Sequence, residues 1–439
     1  MRADLSPSFK GERVNIISLG CSRNLVDSEK ILGDIKRLGA TITAVEKATV
    51  VFLNTCAFTQ DAKKQSLEAI FDLIDLKKKR KIKKIFVCGC LVKRYPSILK
   101  DSFKEVDGFM GLADFKKIFD PETRLTPYHF AYLKISEGCT NCCSFCAIPA
   151  IKGPLRSRKI SAILDEVRFL EDQGVAELNI VGQDTTLYGM DLQKSSFSSK
   201  NKKLRGAGLV NLVEKILKVS RIPWVRLLYL HPLGVSKDLM DLIASQKRVC
   251  SYVDLPLQHI NDRILSLMNR GVSREFIVRL IEQIRKRIPD ITLRTTFIVG
   301  FPSETKKEFL ELMNFVKVVR FDKLGVLAYS REDGTRAYNF KKQLVEEVKK
   351  RRYDTLMSLQ RDISSDILKF FQGKIVDVLV DEKKKSGSSC AYVGRMQTDA
   401  PEADGNVFLR AKKPISVGSI VKARIIKSYE YDVEGEVIE

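Results

Sequence analysis

Three short apolar runs open the chain: Val14 to Leu19, Val50 to Leu53 and Ile85 to Val87. Each is bounded by polar residues and separated from the next by a helix-compatible stretch, so the pattern predicts strands joined by helical crossovers in an open parallel sheet. Each run is closed by a cysteine. Cys21, Cys56 and Cys90 stand 35 and 34 residues apart, about one strand-helix unit of a parallel sheet. Loops after such strands gather at the carboxyl edge of the sheet, so the three thiols are expected to converge there. Spacing alone leaves two readings open: a metal cluster, or three buried cysteines acting as small hydrophobes.

Pro121 and Pro127 mark a change of texture before the run Tyr132 to Ile135. Further strand-like runs follow at Leu178 to Val181, Val225 to Leu230, Tyr252 to Leu255, Thr292 to Val299 and Leu324 to Ala328, with amphipathic stretches such as Arg274 to Arg287 between them. This alternation predicts a partial or complete barrel of parallel strands. Polar residues crowd the strand ends, Gln183 and Asp184, His231, Gln258 and His259, Gly300 and Glu304 among them, and all are expected at one mouth. The Ser- and Lys-rich segment Gln193 to Leu204 interrupts the pattern and reads as a mobile surface loop. A helix-compatible stretch, Lys341 to Phe371, leads to short runs at Ile375 to Val380, Val407 to Leu409, Ser419 to Ile426 and Gly435 to Ile438. These predict a small antiparallel β-barrel. The expected fold class is α/β, with units over residues 12–122, 126–365 and 371–439.

Composition narrows the partners more than the fold. The 439 residues are 44% hydrophobic and 30% charged, as in ordinary globular chains, and no apolar run is long enough to span a bilayer. The opening MRADLSPSFKGER has no signal-peptide apolar stretch, so a reducing cytoplasm is expected. The net charge of +22 favours a polyanionic partner such as a ribonucleoprotein. From Gly373 onward, however, eleven basic side chains balance eleven acidic ones, and the end of the chain carries Glu430, Asp432, Glu434, Glu436 and Glu439. That module suits a basic protein better than transfer RNA. The run KKKRKIKK (Lys77 to Lys84) could touch ribosomal RNA or be a solvated face.

The sharpest chemical signal is CTNCCSFC, Cys139 through Cys146, which holds four of the ten cysteines. Cys139, Cys143 and Cys146 have Cys-x3-Cys-x2-Cys spacing, which can hold three irons of a four-iron four-sulfur cluster and leave the fourth open to a small molecule. The same string contains two adjacent Cys-x2-Cys pairs, so a zinc knuckle is the competing reading, although zinc pairs usually stand a dozen or more residues apart. Cys142 adjoins Cys143, and Cys88 stands two residues before Cys90.

The loop GCTNCCSFCAIP, with Phe145 before its last cysteine, resembles the radical S-adenosylmethionine signature. Together with Cys21, Cys56 and Cys90 and the C-terminal β-barrel, the chain resembles the methylthiotransferases over nearly its whole length. The strings SLGCSRNLVDSE, NTCAF, GCLVKRYP, GPLRSR, GQDTTLYG, RLLYLHP, LPLQHI and FIVGFPSET are similar to the RimO branch, which modifies an aspartate of ribosomal protein S-twelve. The resemblance implies an auxiliary-cluster domain, a radical SAM core and a substrate-binding TRAM domain. It also implies two 4Fe-4S clusters, on Cys139, Cys143 and Cys146 and on Cys21, Cys56 and Cys90.

S-adenosylmethionine would serve as radical source and, in a second molecule, as methyl donor. The first is cleaved to a 5′-deoxyadenosyl radical that takes hydrogen from the aspartate β-carbon. Gln183, Thr295 and Glu304 are candidates for cofactor contacts, and Arg156 and Arg158 for a carboxylate of cofactor or substrate. His231 and His259 read as plain hydrogen-bonding residues. Implied partners are protein S-twelve, free or in the small subunit, a low-potential electron donor such as flavodoxin or ferredoxin, and a sulfur donor. Two alternatives are the same chemistry on a transfer-RNA adenosine and a non-catalytic iron-sulfur electron carrier.

Overall fold

A computed structural model of the chain describes residues 9–112, 123–192, 205–384 and 390–438. Pro121 and the segment Gln193 to Leu204 lie outside the described residues. Strands β1 (Arg13–Ser18), β2 (Thr41–Ile42), β3 (Val50–Thr55), β4 (Lys84–Gly89) and β5 (Gly108–Phe109) form one parallel sheet in the order β2-β1-β3-β4-β5. Strand β3 is buried along its whole length, as an apolar run covered on both faces should be. One face packs Val14, Phe52 and Cys88 under the helix Ser22–Arg37; the other packs Leu53, Val87 and Cys90 under the helix Gln60–Lys78.

The central unit holds β6 (Phe130–Lys134), the short antiparallel pair β7 (Ser136–Glu137) and β8 (Arg156–Ser157), then β9 (Glu177–Val181), β10 (Trp224–Leu227), β11 (Tyr252–Asp254), β12 (Thr292–Val299) and β13 (Lys323–Ala328). Two parallel sheets, β10-β9-β6 and β11-β12-β13, meet where the Cys250 N–H donates to the Val225 carbonyl and the Leu230 N–H to that of Asp254, both at 2.9 Å. Among the described residues no ladder returns from β13 to β6, so the six strands make a partial (β/α) barrel. Its core is the largest apolar cluster of the molecule and runs from Ala131 to Ile363. All six expected strands are present, and β12 has the expected bounds.

The expected helix starts later and stops earlier, as Glu346–Lys369. Before it, the Gln343 amide donates to the carbonyls of Ala337 and Phe340, at 3.1 and 2.9 Å, and holds the chain as a loop. Five strands then close into a barrel in the order β14-β15-β16-β18-β17: β14 (Ile375–Lys384), β15 (Cys390–Met396), β16 (Val407–Ala411), β17 (Ile420–Ser428) and β18 (Val433–Val437). Two features differ from the sequence reading. Strand β15 has no counterpart there, and β16 pairs with β18 in parallel while the other neighbours are antiparallel. Alternating directions cannot be maintained around a ring of five, so one parallel pair is unavoidable. No helix among the described residues is long and apolar enough to cross a membrane.

Candidate active site

Cys21 is the N-cap of the helix Ser22–Arg37, Cys56 follows β3, and Cys90 opens the short helix Cys90–Arg94 after β4. All three lie at the carboxyl edge of the first sheet. A Cβ built on Gly20, whose φ is 90°, would stand 2.9 Å from Cys56 Sγ, so these two loops touch and only glycine fits between them. Asn54 and Asn24 brace the edge: the Asn54 amide donates to the Asn24 carbonyl and to Ser28 Oγ, at 2.9 and 2.8 Å, and the Asn24 amide donates to the Leu19 carbonyl. Burial opposes ionisation of Cys21, but the Arg23 guanidinium, 3.4 Å from Sγ, and the N–H groups of Asn24 and Arg23 outweigh it and hold this thiol below its ordinary pKa. Burial pushes Cys56 up, and Cys90 up to about 12. Cys88 faces the other side of the sheet, where its thiol donates to the Leu53 carbonyl inside an apolar cluster.

The second set of thiols sits on the loop after β7. The Cys139 N–H donates to the Gly153 carbonyl at 3.1 Å, the Ser144 N–H to that of Met268 at 3.0 Å, and the Ala337 N–H to that of Ser144 at 2.8 Å, so three separate segments fix the loop. Arg270 donates to Cys143 Sγ through Nη1 at 3.4 Å and to the Pro256 carbonyl through Nη2 at 2.7 Å. Cys142, by contrast, is exposed. Burial pushes the thiols of Cys139 and Cys146 up to about 12, a cost that metal binding offsets by displacing the protons. Phe145 packs against the apolar cluster of Phe301 and Tyr329 beside the loop. Among the described residues no three His, Cys, Asp or Glu side chains stand close enough to hold a single metal ion; a four-iron cluster takes one thiolate per iron.

Side chains from both sheets meet between the two sets of thiols. Arg23 lies 4.3 Å over the Tyr229 ring and donates to the Gly182 carbonyl at 3.2 Å. Asp27 accepts from Lys134 at 2.6 Å and from Lys152 at 2.9 Å, and both lysines also pair with Glu137. Farther out, Glu332 accepts from Lys63 and Arg94, both at 2.8 Å. None of these pairings is visible in the sequence; Arg23 and Asp27 fall inside the string SLGCSRNLVDSE, but nothing local marks their partners.

The expected contact residues separate into two groups. Gln183 stands at the mouth, donates to Glu137 at 3.2 Å and leaves its Oε1 buried without a partner; Gln258 Oε1 and Ser136 Oγ nearby are also unpartnered. Unsatisfied buried oxygens are rare in proteins and fit a polar cofactor such as S-adenosylmethionine. Thr295 donates to the Leu255 carbonyl at 2.9 Å, whereas Glu304 accepts from the N–H groups of Gly300 and Phe301 through Oε2 and leaves its Oε1 buried without a hydrogen-bond partner. Arg158 is occupied by Glu166 at 2.6 Å, and Arg156 is exposed. His231 and His259 each accept a local backbone N–H through Nδ1, from Leu233 and Asn261. Burial holds His231 well below the usual histidine pKa. Cavities of about 320 and 420 Å³ lie at the other end of the barrel, against the C-terminal strands, away from the end where barrels place chemistry.

Residues 133–316 match the Radical SAM superfamily, 13–111 the Uncharacterized protein family UPF0004, and 373–438 the TRAM domain. A protein of Aquifex aeolicus (strain VF5), the ribosomal protein uS12 methylthiotransferase RimO, is 42% identical over 434 residues covering 96% of this chain and 96% of that protein. The chain belongs to the RimO family. RimO proteins of Clostridium kluyveri and Chlorobium luteolum are 40% and 39% identical, each over 97% of this chain and over 98% and 97% of their own. A solved radical S-adenosylmethionine methyltransferase, TsrM from Kitasatospora setae, is 14% identical with a TM-score of 0.49, over 74% of this chain and 77% of that one. The chain is therefore a radical SAM methylthiotransferase, a transferase whose cofactors include a 4Fe-4S cluster and S-adenosylmethionine. RimO relatives at this coverage do not favour the transfer-RNA alternative.

Proposed function

We propose that this enzyme adds a methylthio group to the β-carbon of an aspartate in ribosomal protein uS12, with a radical centre on Cys139, Cys143 and Cys146 and an auxiliary centre on Cys21, Cys56 and Cys90. The observation that carries the two-centre reading is the pairing of thiol sets at the carboxyl edges of two sheets, bridged by Arg23 and the Asp27 ion pairs. Cys139, Cys143 and Cys146 would hold a four-iron cluster that, with S-adenosylmethionine, would supply radical chemistry able to take a hydrogen that no side-chain base could remove as a proton.

This chain's residues supply the setting. Arg270 orients Cys143 through its N–H···S bond, a contact that also tunes cluster potential. Gln183, Gln258 and Ser136 offer buried oxygens to the cofactor's polar groups. Phe301 and Phe145 form an apolar wall beside the loop that limits water. Electrons come from a low-potential donor such as flavodoxin or ferredoxin, and the transferred sulfur from a sulfur donor, either cluster sulfide or an exogenous persulfide, in the cytoplasm.

The test is intact-mass measurement of small-subunit ribosomal proteins from cells with and without the gene. A gain equal to one methylthio group on uS12 should disappear with the gene and return with the wild type but not with Cys143→Ala. An unchanged uS12 accompanied by a modified transfer-RNA adenosine would overturn the reading.

A further inference from the structure

The target aspartate carries a negative carboxylate one bond from the carbon that reacts. Bringing that carbon between the two centres requires a cation there, fixed in orientation and with hydrogen-bond donors to spare. Several arginines stand near the site, and their commitments differ; Arg205 is held by Thr186, Asp184 and Asn141 of the cluster loop. Arg158 is taken up by Glu166 at 2.6 Å and by the Lys134 carbonyl at 3.0 Å. Arg270 donates to Cys143 and the Pro256 carbonyl, and its unpartnered Nε is fully buried. Arg156 is exposed on β8.

Arg23 spans the gap. Its Nε donates to Cys21 Sγ at 3.4 Å and its Nη1 to the Gly182 carbonyl of the barrel at 3.2 Å, while Nη2 has no hydrogen-bond partner among the described residues. Its charge also reaches Cys146, where it opposes the effect of burial. The guanidinium plane is held by the Tyr229 ring at 4.3 Å. Tyr229 in turn is fixed in a left-handed backbone conformation, φ 58°, with its N–H donated to Asp254 at 2.9 Å and its carbonyl accepting from Thr185 at 3.1 Å. A non-glycine residue persists there only when its surroundings over-determine it, and such strain gathers at functional sites.

We propose that Arg23 is the receptor for the carboxylate of the substrate aspartate, a specificity-determining residue that presents the free edge of its guanidinium toward the space between the two centres. The proposal rests on the reading that an aspartate of uS12 is the substrate. It accounts for one side chain touching both domains while leaving three of its five N–H donors unused: Nε and Nη1 fix the fork, and Nη2 with the second Nη1 hydrogen remains for a bidentate partner.

The test compares two synthetic peptides of the uS12 target loop, one with the native aspartate and one with asparagine in its place. Binding is measured to iron-loaded wild type, Arg23→Gln and Arg23→Lys without S-adenosylmethionine, and iron content is determined for each protein. Wild type should prefer the aspartate peptide by about 10- to 100-fold. Arg23→Gln should lower that ratio to near unity, with asparagine-peptide affinity little changed, and Arg23→Lys should give an intermediate ratio because it keeps charge but loses the fork. A wild-type ratio in Arg23→Gln, or in Arg23→Lys if Arg23→Gln fails to hold iron, would overturn the proposal. Separate mass analysis of the aspartate peptide after turnover keeps the two readings apart. A peptide that wild type does not methylthiolate defeats the substrate reading, whereas one that is modified while the ratio survives in the variant defeats only the role of Arg23.

Discussion

The Lys134 ammonium on β6 and the Asp27 carboxylate on the first long helix meet at 2.6 Å with both side chains buried. The helix packs on the first sheet and β6 belongs to the barrel, so the pair joins the two domains. Burial alone would raise the Asp27 pKa, but Lys134 and Lys152 outweigh it and bring it down to about 2. A depressed folded-state pKa gives stabilisation that is complete above the ordinary carboxylate value of 3.8 and is lost as pH falls toward 2. Asp27→Asn should therefore flatten this acid limb when unfolding is followed against pH. Asp27→Ala, which leaves two buried ammonium groups short of a partner, should cost about 3–5 kcal/mol in urea unfolding.

Glu29, two residues along, behaves in the opposite sense. Burial raises its pKa to about 7 against the N–H groups of Leu125 and Thr126, which its Oε1 accepts. Here the folded state holds the proton more tightly than the unfolded chain, so the contribution is full below 4.5 and is lost as pH rises through 7. Glu29→Gln should abolish that decline, an effect of about 3 kcal/mol on the pH profile of unfolding.

Two neighbouring pairs of cysteines should give opposite results in iron analysis. Cys142 is exposed and Cys88 lies in the core away from the other thiols. Cys142→Ala and Cys88→Ala should keep full iron, the latter with a stability loss of about 1–2 kcal/mol. Cys143→Ala should lose the radical cluster and release no 5′-deoxyadenosine, and Cys90→Ala should lose the auxiliary cluster while keeping the radical one. Iron loss from Cys142→Ala with retention in Cys143→Ala would reverse the ligand assignment.

Glu332 holds Lys63 and Arg94 of the first domain against the barrel, and Asp333 adds contacts to Arg94 and to the Tyr95 hydroxyl, at 3.0 and 2.5 Å. Glu332→Gln should weaken this outer clamp without touching either set of thiols. We expect 5′-deoxyadenosine release to continue while methylthio transfer to uS12 falls at least about tenfold, since misplacement by even an ångström is costly in reactions of this kind. Parallel loss of both activities would show that the clamp supports the fold rather than the alignment.

The strands, their order of appearance and the convergence of Cys21, Cys56 and Cys90 on one edge are legible in the sequence because β-type runs and the loops after them are local signals. Strand β12 is the clearest case, a run rich in β-branched residues, TLRTTFIV, with the bounds it has in the structure. Strand β15 escapes the same reading because it alternates small, aromatic and charged residues, CAYVGRM, next to a Lys- and Ser-rich stretch. The ion pairs of Asp27 and Glu332 and the Arg270–Cys143 contact escape it for another reason: their partners lie far apart in sequence, and only the docking of one element on another brings them together. Thr295 illustrates how a strand-end position and a local hydrogen bond coincide, since its hydroxyl donates to the Leu255 carbonyl of the neighbouring strand, a partner that the sequence does not mark.

The buried meeting of Asp27 with Lys134 and Lys152 means that the gap between the two sets of thiols is measured by side chains and not by the length of chain joining the sheets. An insertion in the connecting segment would leave that gap intact, whereas the loss of one carboxylate would release it. The reach of sulfur transfer in this enzyme is thus a quantity that single substitutions can retune, and the protein gauges it with charges it has hidden from water.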